Sequence, residues 1–255
     1  MKKAKFVAIL PLLVVLLMVG CQKQQSLPPP TIAPDAKLVC LFFDDGWQNQ
    51  YDVALPILLE YDFKATFSVI SDKIGTGQGF WKYMAAKELK KLAKYGMDIA
   101  SHTRTHPRLT ANLTDKQLRE EIIDSKKHLE KLGFRIRTFA YPYYEWDDVV
   151  INYVREAGYV CARGGWPEEK AYDLTSTDPE ARYHVPSYPI TNQNFEVFKS
   201  IVGQASRYSV VSLTYHFISD TGPAETSTPV QNFRDQMRYL KEAGFIVVLL
   251  PDLIE

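Results

Sequence analysis

Seven short apolar runs punctuate this chain, and amphipathic helical stretches fill most of the gaps between them. The runs are LVCLFF (38–43), ATFSVI (65–70), MDIASH (97–102), TFAYP (138–142), YVCA (159–162), VVSLTYH (210–216) and FIVVLL (245–250). Between them, Tyr51 to Tyr61 carries apolar Val53, Leu55, Leu58 and Leu59 near helical spacing. Ala85 to Tyr95 stops at Gly96, Asp147 to Ala157 at Gly158, and Gln231 to Ala243 at Gly244, each a helix with a glycine stop. Thr114 with Gln117 three positions on forms a capping box for a helix running to Leu132, before Gly133. Phe195 to Ser206 is the sixth helical stretch. Strand–helix alternation of this kind implies a parallel sheet. In a chain of 255 residues the expectation is a single α/β domain, a closed or nearly closed barrel of about seven parallel strands.

The first residues read differently. MKKAK is basic, and Phe6 to Val19 is apolar, ends at Gly20-Cys21 and is interrupted by Pro11. It is short for a span of about 20 residues and has the layout of an export signal. A cysteine after a small residue resembles a bacterial lipoprotein cleavage site. That makes residues 1–20 a signal peptide and Cys21 a lipidated first residue that anchors the protein to a membrane. Gln22 after the cysteine leans, by analogy, towards the outer membrane of the cell envelope. Residues 21–36 are polar and Pro-rich, with Pro28, Pro29 and Pro30 in a row, and read as a tether. The folded domain is expected over 37–255. Cys40 and Cys161 both sit in strand-like apolar runs, and two buried free thiols are the simpler reading. Zero formal net charge argues against a nucleic-acid partner, which calls for a basic face.

In barrels of this kind chemistry gathers where strands end. The first run ends in Asp44-Asp45-Gly46, the third leads into SHTRTHP with His102 and His106, and the sixth ends in His216. Three of the five histidines therefore fall at strand ends, together with a carboxylate pair. Each piece alone is ambiguous. Asp-Gly is a common turn, and two histidines at i and i+4 share a face only if the segment turns helically. Together they make a coherent site. Two imidazoles and one carboxylate suit Zn²⁺ with a position left open, and Ni²⁺, Co²⁺ or Mn²⁺ are alternatives. The neighbouring carboxylate is then free to take a proton from water. Gly46 supplies the bend that brings both carboxylates to one place.

The stretches LFFDDGWQNQYDVALPILLEYDFKATFSVI, SHTRTHPRLT, FAYPYY and SLTYH resemble the polysaccharide deacetylase, or NodB-homology, family: carbohydrate esterase family four. The likeness runs from Leu38 to Glu255. It implies a deformed, TIM-like (β/α) barrel and metal-dependent hydrolysis of acetyl groups on carbohydrate. Carried over, Asp44 is the general base, and Asp45, His102 and His106 hold the metal. His216 is the general acid, and the backbone N–H of Tyr143 stabilises the oxyanion. The chain departs from the family pattern at Ala140, where an arginine is usual before x-Pro-Tyr, and at Thr214, where a leucine is usual. Leu213 adjoins the latter position, and Arg163 and Trp166 occupy the region of a fourth motif. Trp47, Tyr141, Tyr144, Trp146, Arg163, Trp166 and Leu213 are candidate substrate contacts. The substrate is expected to be an acetylated glycan, attacked at an N-acetyl group. An O-acetyl ester of xylan type, or a non-catalytic glycan-binding lipoprotein on the same barrel, are the alternatives. No His-Glu-x-x-His is present to support a metalloprotease.

Overall fold

The computed structural model describes residues 33–165 and 171–254. The leader, Cys21, most of the tether, and Trp166 lie outside the described residues.

All seven apolar runs form parallel strands. In chain order the strands are β1 (Lys37–Phe43), β2 (Thr66–Val69), β3 (Asp98–Ser101), β4 (Thr138–Ala140), β5 (Cys161–Arg163), β6 (Tyr172–Asp173), β7 (Tyr188–Pro189), β8 (Ser209–Tyr215), β9 (Phe217–Ile218), β10 (Ser227–Thr228) and β11 (Phe245–Val247). The sheet runs β5-β4-β3-β2-β1-β8-β6, with β11 also on β1 and β7 also on β8. Among the described residues β6 is its one antiparallel member. Val185 bridges Arg163 of β5, and three residues later β7 pairs with β8. The extended 185–189 segment, which sequence periodicity did not reveal, therefore links the two flanks of the curled sheet.

The helices are α1 (Leu55–Glu60), α2 (Ala86–Lys94), α3 (Asp115–Arg119), α4 (Ser125–Lys131), α5 (Asp148–Glu156), α6 (Phe195–Val202), α7 (Val230–Glu242) and α8 (Leu250–Ile254). Thr114 and Gln117 make the reciprocal capping box, and the Asp147 side chain accepts from Val150 N. Two stretches depart from regular α-helix. Gln50–Ala54 ahead of α1, and Glu120–Asp124 between α3 and α4, are π-helical turns. A π turn inserts an extra residue and re-aims the side chains around it. Here each carries a buried polar side chain, Gln50 or Glu121, with a part in the site.

Alternation along the strands sorts the core into two layers. Val39, Leu41 and Phe43 join Phe139, Ala162, Val211, Leu213 and Tyr215 in a large cluster with the helices. Leu38, Cys40 and Phe42 join Cys161 and Val210 in a smaller cluster inside the barrel. Buried on both faces, β1 needs a nearly continuous apolar sequence, which KLVCLFF provides. Continuing the inward parity upward leads to Asp44, His102, Ala140, Arg163, Thr214 and His216. The top layer of the barrel interior thus gathers the candidate site residues, above layers that mix apolar Leu38, Phe42 and Val210 with buried polar Thr66, Asp98 and Thr138. Cys40 and Cys161 are both free and buried, and burial pushes the Cys161 thiol up to about 12.

Candidate active site

Asp44 follows β1 directly and is still held in register, its N–H donating to Tyr215 O at 2.9 Å. Ordinary alternation would turn Asp45 outward. Instead Asp45 takes φ +73° and Gly46 φ +82°, so the chain reverses and both carboxylates face the same space. The Trp47 indole N–H then donates to Asp45 Oδ2 at 2.9 Å. That bond leaves Oδ1 directed at the histidines, 3.6 Å from His102 Nε2 and 3.5 Å from His106 Nε2.

His102 closes β3 with its Nδ1 donating to Ala140 O at 2.8 Å. A carbonyl only accepts, so the proton sits on Nδ1 and the Nε2 lone pair points into the site. Burial pushes the pKa of His102 down to about 4, more than nearby Asp44 pulls it up, so the imidazole is neutral at neutral pH. His106 arrives by a route other than the helical turn its i, i+4 spacing suggested. Residues 102–107 form a loop, with Thr103 at φ +63° and His106 at φ +71°. Thr103 Oγ1 accepts from His106 N at 2.9 Å. Glu121 in the second π turn accepts from Arg104 N at 2.9 Å, Thr105 N at 2.8 Å and Thr105 Oγ1 at 2.7 Å. The loop is thereby fixed from beneath, and the two Nε2 atoms come to 3.2 Å.

These separations can be compared with a metal shell. Ligand atoms about 2.0–2.1 Å from Zn²⁺ in tetrahedral array lie roughly 3.3–3.4 Å from one another. Asp45 Oδ1, His102 Nε2 and His106 Nε2 lie 3.2–3.6 Å apart. Among the described residues they form a cluster able to hold an ion, and the donor set of one carboxylate and two imidazoles suits a divalent cation.

Asp44 is held by a residue that sequence motifs did not assign to it. Arg163 at the end of β5 donates from Nη2 to Asp44 Oδ1. Its guanidinium lies 5.4 Å from the Phe42 ring centre and 5.2 Å from that of Tyr144, and the side chain is fully buried. Burial alone would raise the pKa of Asp44. The Arg163 guanidinium, through its charge and its hydrogen bond, leads the opposing effects that bring the carboxyl down to about 2. In the parallel register Arg163 stands opposite Ala140. The small inward side chain at 140 and the arginine at 163 are thus cross-strand neighbours. The guanidinium missing from the third motif enters from the adjacent strand. The available signal was parity, since inward Cys161 implies an inward Arg163.

Other expected contacts take different places. Arg163 is unavailable to substrate because it is buried against Asp44. Tyr141 is fully buried, with outward parity and its hydroxyl donating to Tyr183 O at 2.8 Å, so it offers no ring face to a sugar. Leu213 also has outward parity and belongs to the sheet–helix core, so it cannot line an acetyl pocket. The inward position is Thr214, hydrogen-bonded to Ser187. Trp47 is 7% exposed and orients Asp45. Tyr144 packs its ring over Arg163. Trp146 stacks on His184 at 4.9 Å, away from the metal-ligand cluster in its contacts. Tyr143 does border the cluster: its ring lies 4.8 Å from His106, Arg108 covers it at 4.3 Å, and 44% of its surface is exposed. His216 is half-buried after β8, and its carbonyl accepts from Gln50 Nε2 at 2.9 Å. Gln50 also donates to Asp44 O, so one buried amide ties the ends of β1 and β8 together.

Left-handed backbone is concentrated here. Of seven non-glycine residues with positive φ among the described residues, five are Asp45, Thr103, His106, Tyr143 and Tyr144. Such conformations cost about 1–3 kcal/mol each in the least favourable cases and persist where surrounding structure fixes them.

Comparison with known proteins bears on the family and the fold. Residues 31–162 match the polysaccharide deacetylase family. The chain is 32% identical over 127 residues to a putative polysaccharide deacetylase of Bacillus subtilis, covering 49% of this chain and 44% of that protein. It is 30% identical over 134 residues to a peptidoglycan-N-acetylglucosamine deacetylase of Bacillus cereus, covering 52% and 59%. It is 30% identical over 170 residues to a poly-β-1,6-N-acetyl-D-glucosamine N-deacetylase of Staphylococcus aureus, covering 62% and 56%. The chain thus spans about half the length of these curated relatives. Among solved structures, a family 4 carbohydrate esterase from Bacillus anthracis shares the fold, with TM-score 0.58, 21% identity, and coverage of 86% of this chain and 83% of that one.

Proposed function

Because this chain belongs to the polysaccharide deacetylase family, we propose that it hydrolyses acetyl groups from an N-acetylated glycan, using a divalent ion, with Zn²⁺ the first choice. The observation that carries this reading is the spacing of Asp45 Oδ1, His102 Nε2 and His106 Nε2 beside an ionised, arginine-held Asp44. When bound, the ion would supply Lewis acidity to the acyl oxygen and to the attacking water.

The side chains divide the remaining work. Asp44 accepts a proton as water adds to the acetyl carbon, and Arg163 keeps its carboxylate ionised and aimed. Gln50 holds the Asp44 and His216 backbones at a fixed separation. His216 gives a proton to the departing nitrogen as the C–N bond breaks, leaving acetate and a free amine. The N–H of Tyr143, in its left-handed turn, would donate to the developing oxyanion. A donor of that kind is often worth about 3–4 kcal/mol. A glycan built from N-acetylglucosamine matches the substrates for which two relatives are named. The lipoprotein-like leader and Cys21 would hold the enzyme at the cell envelope, where such polymers lie.

The test is acetate release by the zinc-loaded protein from chitin oligomers, β-1,6-linked N-acetylglucosamine polymer, peptidoglycan and acetylated xylan. Release from an N-acetylated member supports the proposal. Release only from xylan moves the activity to ester hydrolysis. Glycan binding without release from any of them leaves a binding module. Radiolabelled palmitate incorporation that is lost in Cys21→Ser would support the anchor.

A further inference from the structure

An aromatic platform adjoins the metal-ligand cluster. Tyr83, Trp47, Phe217 and Phe80 form a stack of near-parallel rings, with successive centroids 4.1, 4.8 and 4.6 Å apart. Trp81 stands nearly perpendicular to three of them, at 5.5 Å from Trp47, 5.3 Å from Phe80 and 5.6 Å from Phe217. Trp81 is 53% exposed, whereas Trp47 beneath it is 7% exposed. Trp47 is the residue whose indole N–H holds Asp45. One ring contact therefore separates a solvent-facing indole from the residue bonded to a metal ligand.

The platform is rigidly built. Gln48 N donates to Lys82 O at 2.8 Å, Met84 N to Gly46 O at 2.9 Å, and Tyr83 N to Thr76 O at 3.0 Å. The first two bonds pin the loop after β2 to the chain segment that follows Asp45, and the third ties the loop across itself. The loop closes only because Gly77 lacks a side chain: a Cβ there would lie 2.1 Å from Trp81 O. Likewise a Cβ on Gly222 would lie 2.8 Å from Phe80 Cζ, so a second loop packs against the rings. An exposed indole on a preorganised support costs little further ordering when it binds a ligand.

From this arrangement we infer that Trp81 and its supporting rings form a subsite for a pyranose ring of the glycan, next to the sugar being deacetylated. The apolar C–H face of a pyranose matches the electron-rich face of an indole. The placement accounts for an exposed tryptophan beside a hydrolytic centre, where burial would otherwise favour covering it. The loop follows β2 while Tyr143 follows β4, so two exposed rings flank β3 and its His102. The inference rests on the proposed glycan substrate.

The experiment compares the zinc-loaded protein with Trp81→Ala and Trp81→Phe on N-acetylglucosamine dimer, tetramer and hexamer, in β-1,4 and β-1,6 linkage. Thermal melting verifies that each variant is folded. Trp81→Ala should raise KM for the hexamer about tenfold, raise it less for the dimer, and lower kcat by less than it raises KM. Trp81→Phe should recover most of the loss. An unchanged hexamer KM in folded Trp81→Ala, or an equal effect at every length, overturns the subsite. If no oligomer releases acetate, hexamer titration followed by tryptophan fluorescence decides the point separately. Weaker binding by Trp81→Ala upholds the subsite while the deacetylase reading fails. Equal binding, or none to either protein, overturns the subsite.

Discussion

Arg163, at the end of β5, donates a hydrogen bond to the Asp44 carboxylate at the end of β1, and both are buried. The sheet order puts β4, β3 and β2 between their strands, so this pair spans the barrel interior. Arg163→Ala should lower kcat strongly with zinc binding retained, and destabilise the fold by about 3–5 kcal/mol, since it strands a buried carboxylate. Adding Ala140→Arg, across the β4–β5 register, should restore part of both losses. Arg163→Lys should restore less, because a planar fork reaches the carboxylate differently from a point charge. Steady-state kinetics and denaturant midpoints check this, and wild-type kcat in Arg163→Ala contradicts it.

Asp44→Asn separates base from ligand. It should keep zinc at one equivalent while acetate release falls about 10²–10⁴-fold. Loss of zinc along with activity would move Asp44 into the ligand set.

Trp47→Phe removes the N–H that orients Asp45 but retains a ring in the stack. Outer hydrogen bonds to metal ligands typically govern about 10–100-fold in affinity. Competitive chelator titration should find that loss, and unchanged zinc affinity would exclude an orienting role.

Far from these residues in sequence, Asp98 is buried at the start of β3. Burial raises its pKa to about 6, against the opposing effects of Arg137, Thr138 and Thr66. A carboxyl whose folded pKa lies above its unfolded value favours folding when protonated. Its contribution is full below about pH 4 and is lost as pH rises through about 6. The loss is of order 3 kcal/mol. Asp98→Asn should therefore flatten the decline in stability from this group between about pH 4 and 6. Urea midpoints across that range provide the measurement, and an unaltered slope contradicts it.

Much of this was legible in the chain. LVCLFF and its six counterparts announce parallel strands because a strand buried on both faces must be apolar throughout. The capping box at Thr114 and the glycine after each of four helices fixed helix ends closely. Less accessible was what depends on side-chain direction and backbone reversal. Nothing local marks the π turns that aim Gln50 and Glu121 at the site. The His102/His106 spacing suggested a helical turn, yet left-handed Thr103 and His106 bring the rings together in a loop. Tyr141 and Leu213 resembled site residues by proximity in sequence, but strand parity turns both outward. The same parity turns Arg163 inward, and a one-residue offset separates these outcomes.

Acetate release measured on one preparation before chelation, after chelation and after zinc is restored tests the central claim most directly, with N-acetylglucosamine oligomers as substrate. The account predicts release that disappears with the chelator and returns with one equivalent of zinc, in wild type but not in Asp45→Ala. Release that persists after complete removal of divalent ions, or survives intact in Asp45→Ala, would contradict it.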